Sequence, residues 1–169
     1  MVRSIAVACV ALVTCACAAQ SHTSADGRAT VVDIIDGDTI VVRINGGDEH
    51  VRLIGIDTPE THKPDTPVEC FGPEASAHMA DLLPDDTTVR LVRDAEARDK
   101  YGRLLAYVYR ESDNLFVDLA MVRDGYAGTL SIAPNLAHRA EFEAAEAEAR
   151  AQQRGLWPVC GGNHVAAGG

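Results

Sequence analysis

Between residues 30 and 56 three β-rich runs follow one another with only turn residues between them, which restricts this stretch to an antiparallel meander. Thr30–Ile35 reads TVVDII, and Asp36-Gly37-Asp38 breaks it with an Asp-Gly pair, a strong hairpin signal. TIVVRI then runs to Ile44, Asn45-Gly46-Gly47 turns the chain again, and HVRLIGI forms the third strand. That strand feeds directly into VRLIGIDTPE (Val51–Glu60), where Arg52 is followed by Asp57, Thr58, Pro59 and Glu60. Pro59 fixes its own φ and drives Thr58 to an extended conformation, so Glu60 is held at a defined angle to Asp57. Asp38 heads the second strand and Asp57 ends the third, so a meander can bring the two carboxylates together.

The rest of the chain alternates between the two periodicities. Thr61 to Cys70, with His62, Lys63, Pro64 and Pro67, reads as an exposed loop. Gly72-Pro73-Glu74 opens a helix with proline at its favoured position, Ala75, Met79, Leu82 and Leu83 form the apolar face, and Pro84 ends it. Two more strands follow, Thr87–Arg93 and Leu104–Arg110. Between them Asp99-Lys100-Tyr101-Gly102 makes a turn that presents Arg103. Asn114 is read as the cap of a second helix, Leu115–Asp124, which Gly125 stops. A third helix spans Leu136–Arg154 with a core stripe of Phe142, Ala145, Ala149 and, beyond Gly155, Leu156. Its acids, Glu141, Glu143, Glu146 and Glu148, are assigned to a solvated face, and Trp157 to packing on the barrel or this helix. No internal repeat is present. Five strands and three helices in this order give an α+β domain whose barrel resembles an OB-fold.

The 169 residues suit one domain, and 47% hydrophobic with 24% charged residues is a globular profile. Arg3, an apolar run from Ile5 to Val13 and small residues up to Ala19 outline a secretory signal peptide over residues 1–19. Leu12-Val13-Thr14-Cys15 also resembles a lipoprotein cleavage box, with Cys17 competing, so free secretion and a lipid anchor at Cys15 or Cys17 both stay open. Residues 20–28 then form a linker, 29–160 the folded domain and 161–169 a flexible, glycine-rich tail. Three of the five cysteines fall in the signal region, and Cys70 and Cys160 remain as a disulfide for an oxidising compartment. The formal charge of −10 makes the chain a poor candidate for non-specific duplex binding by charge alone. No HExxH or clustered Cys/His spacing suggests zinc.

DGDT (Asp36–Thr39), RLIGIDTPE (Arg52–Glu60), FGPEAS (Phe71–Ser76), RDKYGRLLAYVY (Arg98–Tyr109) and Leu156-Trp157 occur in that order, and the chain resembles the staphylococcal nuclease family from about Thr30 to Trp157. The resemblance implies a monomeric, secreted, calcium-dependent nuclease that cuts DNA and RNA, preferring single strands, with little sequence specificity, and leaves 3′-phosphate ends. It places the calcium ligands on the side chains of Asp38 and Asp57 and the carbonyl of Thr58. It assigns Arg52 and Arg103 to the phosphate, Glu60 to the attacking water, and Lys100 and Tyr101 to substrate contacts.

The chemistry agrees with those roles. Calcium takes six to eight hard oxygens, and three from protein leave positions for water and phosphate. Guanidinium groups neutralise the charge that builds on a phosphodiester during hydrolysis. Taken singly, each residue has a plainer reading: Asp38 and Asp57 as turn formers, the arginines as surface ion pairs, Tyr101 as a packed turn aromatic. Arg43, Arg90, Arg93 and Arg110 are left at that reading. The family also frames the nucleotide base with tyrosines around Gly125–Pro134, where this chain has GYAGTLSIAP and only Tyr126; Pro134 sits where some relatives have a cis bond. Two alternatives follow, an OB-fold module that binds single strands without cutting and a phosphodiesterase of small nucleotides.

Overall fold

The computed structural model describes residues 27–61 and 67–167. The signal segment, Cys15 and Cys17, most of the linker and His62, Lys63 and Pro64 lie outside the described residues.

The meander forms as β1 (Gly27–Ile34), β2 (Thr39–Ile44) and β3 (Gly47–Leu53), each antiparallel to the next. Helix α1 (Gly72–Leu82) follows, then β5 (Thr88–Val92) and β6 (Leu104–Arg110), with β5 pairing to both β1 and β6. A parallel pairing of Val51, Arg52 and Leu53 with Leu104, Leu105 and Ala106 closes the sheet into a five-stranded barrel. Alternate residues of each strand fill it: Val31, Ile40, Val42, Val51, Leu53, Val89 and Val108 are almost wholly buried. At about 25 cal/mol per Å² of buried apolar surface, this core is the main stabilising contribution. The expected α+β, OB-like architecture is therefore the observed one.

Three local features differ from the sequence reading. HVRLIGI is not one strand: Gly55 takes a φ of 83° and divides β3 from a short β4 (Gly55–Asp57), which pairs with β8 (Gly128–Leu130) instead of β2. Only glycine fits there, since a Cβ would stand 2.3 Å from the Phe142 ring. Asn114 does not cap a helix. With a φ of 56° it sits in a tight turn and accepts a hydrogen bond from Arg90 at 2.9 Å, while Leu115–Phe116 form β7 against Tyr109 and Arg110. Helix α2 therefore begins only at Val117 and runs to Arg123. The third helix is shorter than Leu136–Arg154, spanning α3 (Arg139–Ala151), and a further short helix, α4 (Leu156–Cys160), follows Gly155.

Ala75, Met79 and Leu83 carry α1 onto the core, and Phe142 does the same for α3. Trp157 joins Ala149 and Leu156 in a smaller cluster under the Arg150 guanidinium, so its partner is the third helix. Three of the helix acids are solvated as expected, but Glu146 is not. Its side chain turns in to accept from the Thr129 N–H at 3.0 Å and from the Thr129 hydroxyl, fixing α3 to β8.

Candidate active site

At the mouth of the barrel, where β2 begins and β3 gives way to β4, ten residues line a polar cleft of about 320 Å³: Asp36, Asp38, Thr39, Arg52, Asp57, Thr58, Glu60, Glu69, Arg103 and His164. The break at Gly55 turns Asp57 into the cleft. Gly37 brings the Asp38 loop onto Thr58, where a Cβ at position 37 would stand 2.7 Å from the Thr58 methyl carbon. Two backbone bonds close the corner, from the Leu53 N–H to the Asp38 carbonyl at 2.9 Å and from the Ile35 N–H to the Thr39 carbonyl at 3.0 Å.

Asp38 is buried and fully engaged. One oxygen accepts from the Thr39 hydroxyl at 3.0 Å, and the other accepts from the Thr58 N–H and lies beside an Arg52 nitrogen, both at 3.0 Å. The same Arg52 nitrogen donates to Asp57 at 3.0 Å, while the second terminal nitrogen donates to the carbonyls of Leu53 and Ile56 at 2.6 and 3.0 Å. Arg52 thus locks the β3–β4 corner and stands between two carboxylates. Arg103 reaches the cleft from the start of β6, held by two bonds to Asp99, one from its backbone N–H at 3.0 Å and one from its Nε at 2.7 Å. Its guanidinium also approaches the Thr39 hydroxyl at 3.5 Å.

Burial first, and the neighbouring charge second, raise two of the cleft acids. Burial, reinforced by the charge of Asp38, pushes Asp36 up to about 6. Burial also raises Asp57, again with help from Asp38, although Arg52 and His164 oppose it. For His164, burial alone would favour the neutral ring, but its bonds to Asp57 and Glu69 outweigh burial and raise it. Carboxylates crowded into one partly buried cleft call for positive charge, and their hard oxygens suit calcium or a similar cation, with no sulfur donor in the lining. Among the described residues no three His, Cys, Asp or Glu side chains are already closed into a metal cage. Asp38 and Asp57 instead face each other across Arg52.

The structure brings Asp38, Arg52, Asp57, Thr58, Glu60 and Arg103 to one cleft, with Lys100 and Tyr101 in the rim of a neighbouring, more apolar hollow of about 430 Å³. Arg52 and Arg103 belong to both. Tyr101 is 73% exposed, with Lys100 Nζ 5.0 Å and Arg103 Cζ 5.6 Å from its ring centre. Leu130 and Ile132 also line this hollow. Tyr126 is elsewhere, stacked on His78 of α1 at 3.9 Å, and the Ala133-Pro134 bond is cis.

Sequence reasoning missed Asp36, Glu69, Asn163 and His164. Asp36 had a signal in the Asp-Gly-Asp run. Nothing in the sequence marked the other three; His164 lines the cleft, Asn163 Nδ2 donates to the Asp57 carbonyl at 2.7 Å, and the chain beyond them pairs with residues 68–70. Cys70 and Cys160 form a disulfide that joins the segment before α1 to the end of α4.

A closed OB-like barrel with carboxylates and two arginines gathered at one end defines a small α+β domain with a charged cleft at the barrel mouth. The sequence comparisons go further. Residues 50–159 match the family described as staphylococcal nuclease homologue. A thermonuclease of Staphylococcus intermedius is 43% identical over 139 residues, which cover 82% of this chain and 81% of the relative. A thermonuclease of Staphylococcus hyicus is 39% identical over 127 residues, 75% of this chain and 73% of the relative. Endonuclease YncB of Bacillus subtilis is 37% identical over 135 residues, 79% of this chain and 63% of the relative. The chain belongs to the staphylococcal nuclease family.

Proposed function

We propose that this protein is a calcium-dependent nuclease, exported as a secreted protein or a surface lipoprotein, that hydrolyses phosphodiester bonds of DNA and RNA with low sequence specificity and leaves 3′-phosphate ends. The single observation that carries the reading is the convergence of Asp38, Asp57, Glu60, Arg52 and Arg103 on one polar cleft in a chain whose relatives are thermonucleases and endonucleases.

Asp38 and Asp57, with the Thr58 carbonyl, would hold the calcium ion. When bound, calcium polarises a phosphate oxygen and lowers the cost of the charge that develops there. Arg103 reaches the same phosphate from the opposite side of the cleft and stabilises the equatorial oxygens with a donor fork that never loses its proton. Arg52 orients the phosphate while holding Asp57. Glu60 orients the attacking water and takes its proton, a modest demand on a carboxylate once the phosphate charge is neutralised. Lys100 and Tyr101 line the path of the substrate, and the hollow beside them takes a base against Leu130 and Ile132 in place of tyrosines.

A phosphodiesterase of small nucleotides is the second reading, favoured by that aliphatic wall. Stacking on an aromatic contributes about 1 to 3 kcal/mol per base, and only Tyr101 offers it here. A binding module without catalysis has less support, because a binder needs basic and aromatic surface, not gathered acids.

The deciding experiment incubates the mature domain with single-stranded DNA, with RNA and with a mononucleotide diester, each in Ca²⁺ or in chelator. Cleavage of both polymers that requires Ca²⁺ is expected, and Glu60→Ala should lower it by at least about 100-fold without changing the melt. Cleavage of the diester alone would favour the second reading, and binding without cleavage would replace both.

A further inference from the structure

The family match ends at residue 159, yet the chain continues and returns to the cleft. Cys70 N–H donates to the Val165 carbonyl at 2.7 Å, Ala167 N–H donates to the Val68 carbonyl at 3.3 Å, and Glu69 pairs with Ala166 as an antiparallel bridge. The return places the His164 ring between two carboxylates, with Nε2 2.6 Å from Asp57 and Nδ1 2.9 Å from Glu69. Glu69 in turn accepts from the Glu60 N–H at 2.9 Å. One ring therefore links the aspartate that would hold calcium to the backbone of the glutamate that would handle water. Asn163 adds the bond to the Asp57 carbonyl, and it packs so closely on β8 that a Cβ at Gly128 would stand 2.6 Å from its Nδ2.

We propose that residues 161–167 form a strap that completes the active site, in which His164 is a positioning residue for Asp57 and, through Glu69, for Glu60, and the Cys70–Cys160 disulfide is the tether that holds it. This inference rests on the nuclease reading above. The tether matters because the His164 side chain is 53% exposed, and a half-exposed ion pair alone contributes too little to order a chain end. With Cys160 fixed four residues earlier, only a short loop remains to be closed, and the cost of closure is smaller the shorter the loop. His164 takes one Asp57 oxygen and Arg52 the other, which fixes the orientation of the carboxylate, and loss of such supporting hydrogen bonds to a metal-binding carboxylate usually costs 10- to 100-fold in affinity or activity.

The test uses the mature full-length chain with its disulfide intact. Ca²⁺ affinity is read by calorimetry, and kcat and KM are read separately on single-stranded DNA. His164→Ala should weaken Ca²⁺ binding and lower kcat by roughly 10- to 100-fold, with KM for DNA within about 2-fold. His164→Gln, whose amide can still donate to Asp57, should recover part of both. Cys70→Ser with Cys160→Ser should move both quantities in the same direction as His164→Ala. Unchanged affinity and kcat in His164→Ala would overturn the proposal, and so would tighter Ca²⁺ binding, since the strap would then compete with the cation. If the unaltered protein neither binds Ca²⁺ nor cuts, the nuclease reading fails, and the strap is judged by melts in chelator. There, shifts of His164→Ala and Asp57→Asn that do not add when combined sustain the contact, and additive shifts overturn it.

Discussion

Glu60 and Glu69 hold each other through the backbone: the Glu60 N–H donates to the Glu69 carboxylate and the Glu69 N–H donates to the Glu60 carbonyl, both at 2.9 Å. A side chain that orients water is only as well placed as its own backbone, and a displacement of about 1 Å can cost on the order of 100-fold in rate. Glu69→Ala should therefore lower kcat by about 10- to 100-fold while KM changes little. Glu69→Gln keeps an acceptor for the Glu60 N–H and should remain within a few-fold of the unaltered protein. Steady-state kinetics on one oligonucleotide separate the two, and equal rates for all three proteins would remove Glu69 from the site.

Arg103 depends on a different support. Asp99 accepts from its backbone and from its Nε, and also from the Tyr101 N–H at 2.9 Å, so one carboxylate shapes the turn and aims the guanidinium. These bonds hold Asp99 below the ordinary carboxylate range even though its burial opposes them. Arg103→Lys keeps the charge but loses the fork, and kcat should fall about 100- to 1,000-fold with the melting temperature nearly unchanged. A loss below about 10-fold would mean that charge alone suffices there.

The barrel was legible because its strands alternate cleanly and its turns carry Asp-Gly and Asn-Gly pairs. The site residues carried by local motifs were legible for a similar reason: Asp57, Thr58 and Glu60 sit within four positions, and Arg103 follows an unmistakable turn. What escaped were features decided by tertiary contact. The split at Gly55 answers to the Phe142 ring. Asn114 has the composition of a cap, yet the pairing of Leu115–Phe116 with Tyr109 and Arg110 places it in a turn with a φ of 56°, two residues before the chain reaches Phe116 at the start of α2. His164 is 107 positions from Asp57, and in a run of glycine and alanine no periodicity announces it.

The disulfide closes a separation of 90 residues, for which the chain-entropy model gives about 4 to 5 kcal/mol. For a domain of this size, that corresponds to a fall in melting temperature on the order of 10 °C when the bond is reduced. Calorimetry in chelator, with and without a thiol reductant, measures it directly. Identical melts would show that Cys70 and Cys160 contribute nothing to the stability of the folded state.

Asp118 provides a pH test apart from the acids of the cleft. It lies wholly buried in α2, with one oxygen accepting from the Val108 N–H at 2.8 Å and the other without a hydrogen-bond partner among the described residues. Burial raises it well above the ordinary value, against the opposing effect of the Val108 N–H. Below about pH 4 the folded and unfolded chains both carry the proton, and no penalty arises. As pH rises, the unfolded chain releases its proton first while the folded chain retains it, so stability declines until the folded group also ionises. Asp118→Asn cannot ionise and removes that decline. The variant should gain stability relative to the unaltered protein as pH rises above the ordinary aspartate range, at up to about 1.4 kcal/mol per pH unit, until the folded group itself ionises. The acids of the cleft are common to both proteins and cancel in the difference, so parallel stability curves for the two above about pH 4 would show that burial does not raise Asp118.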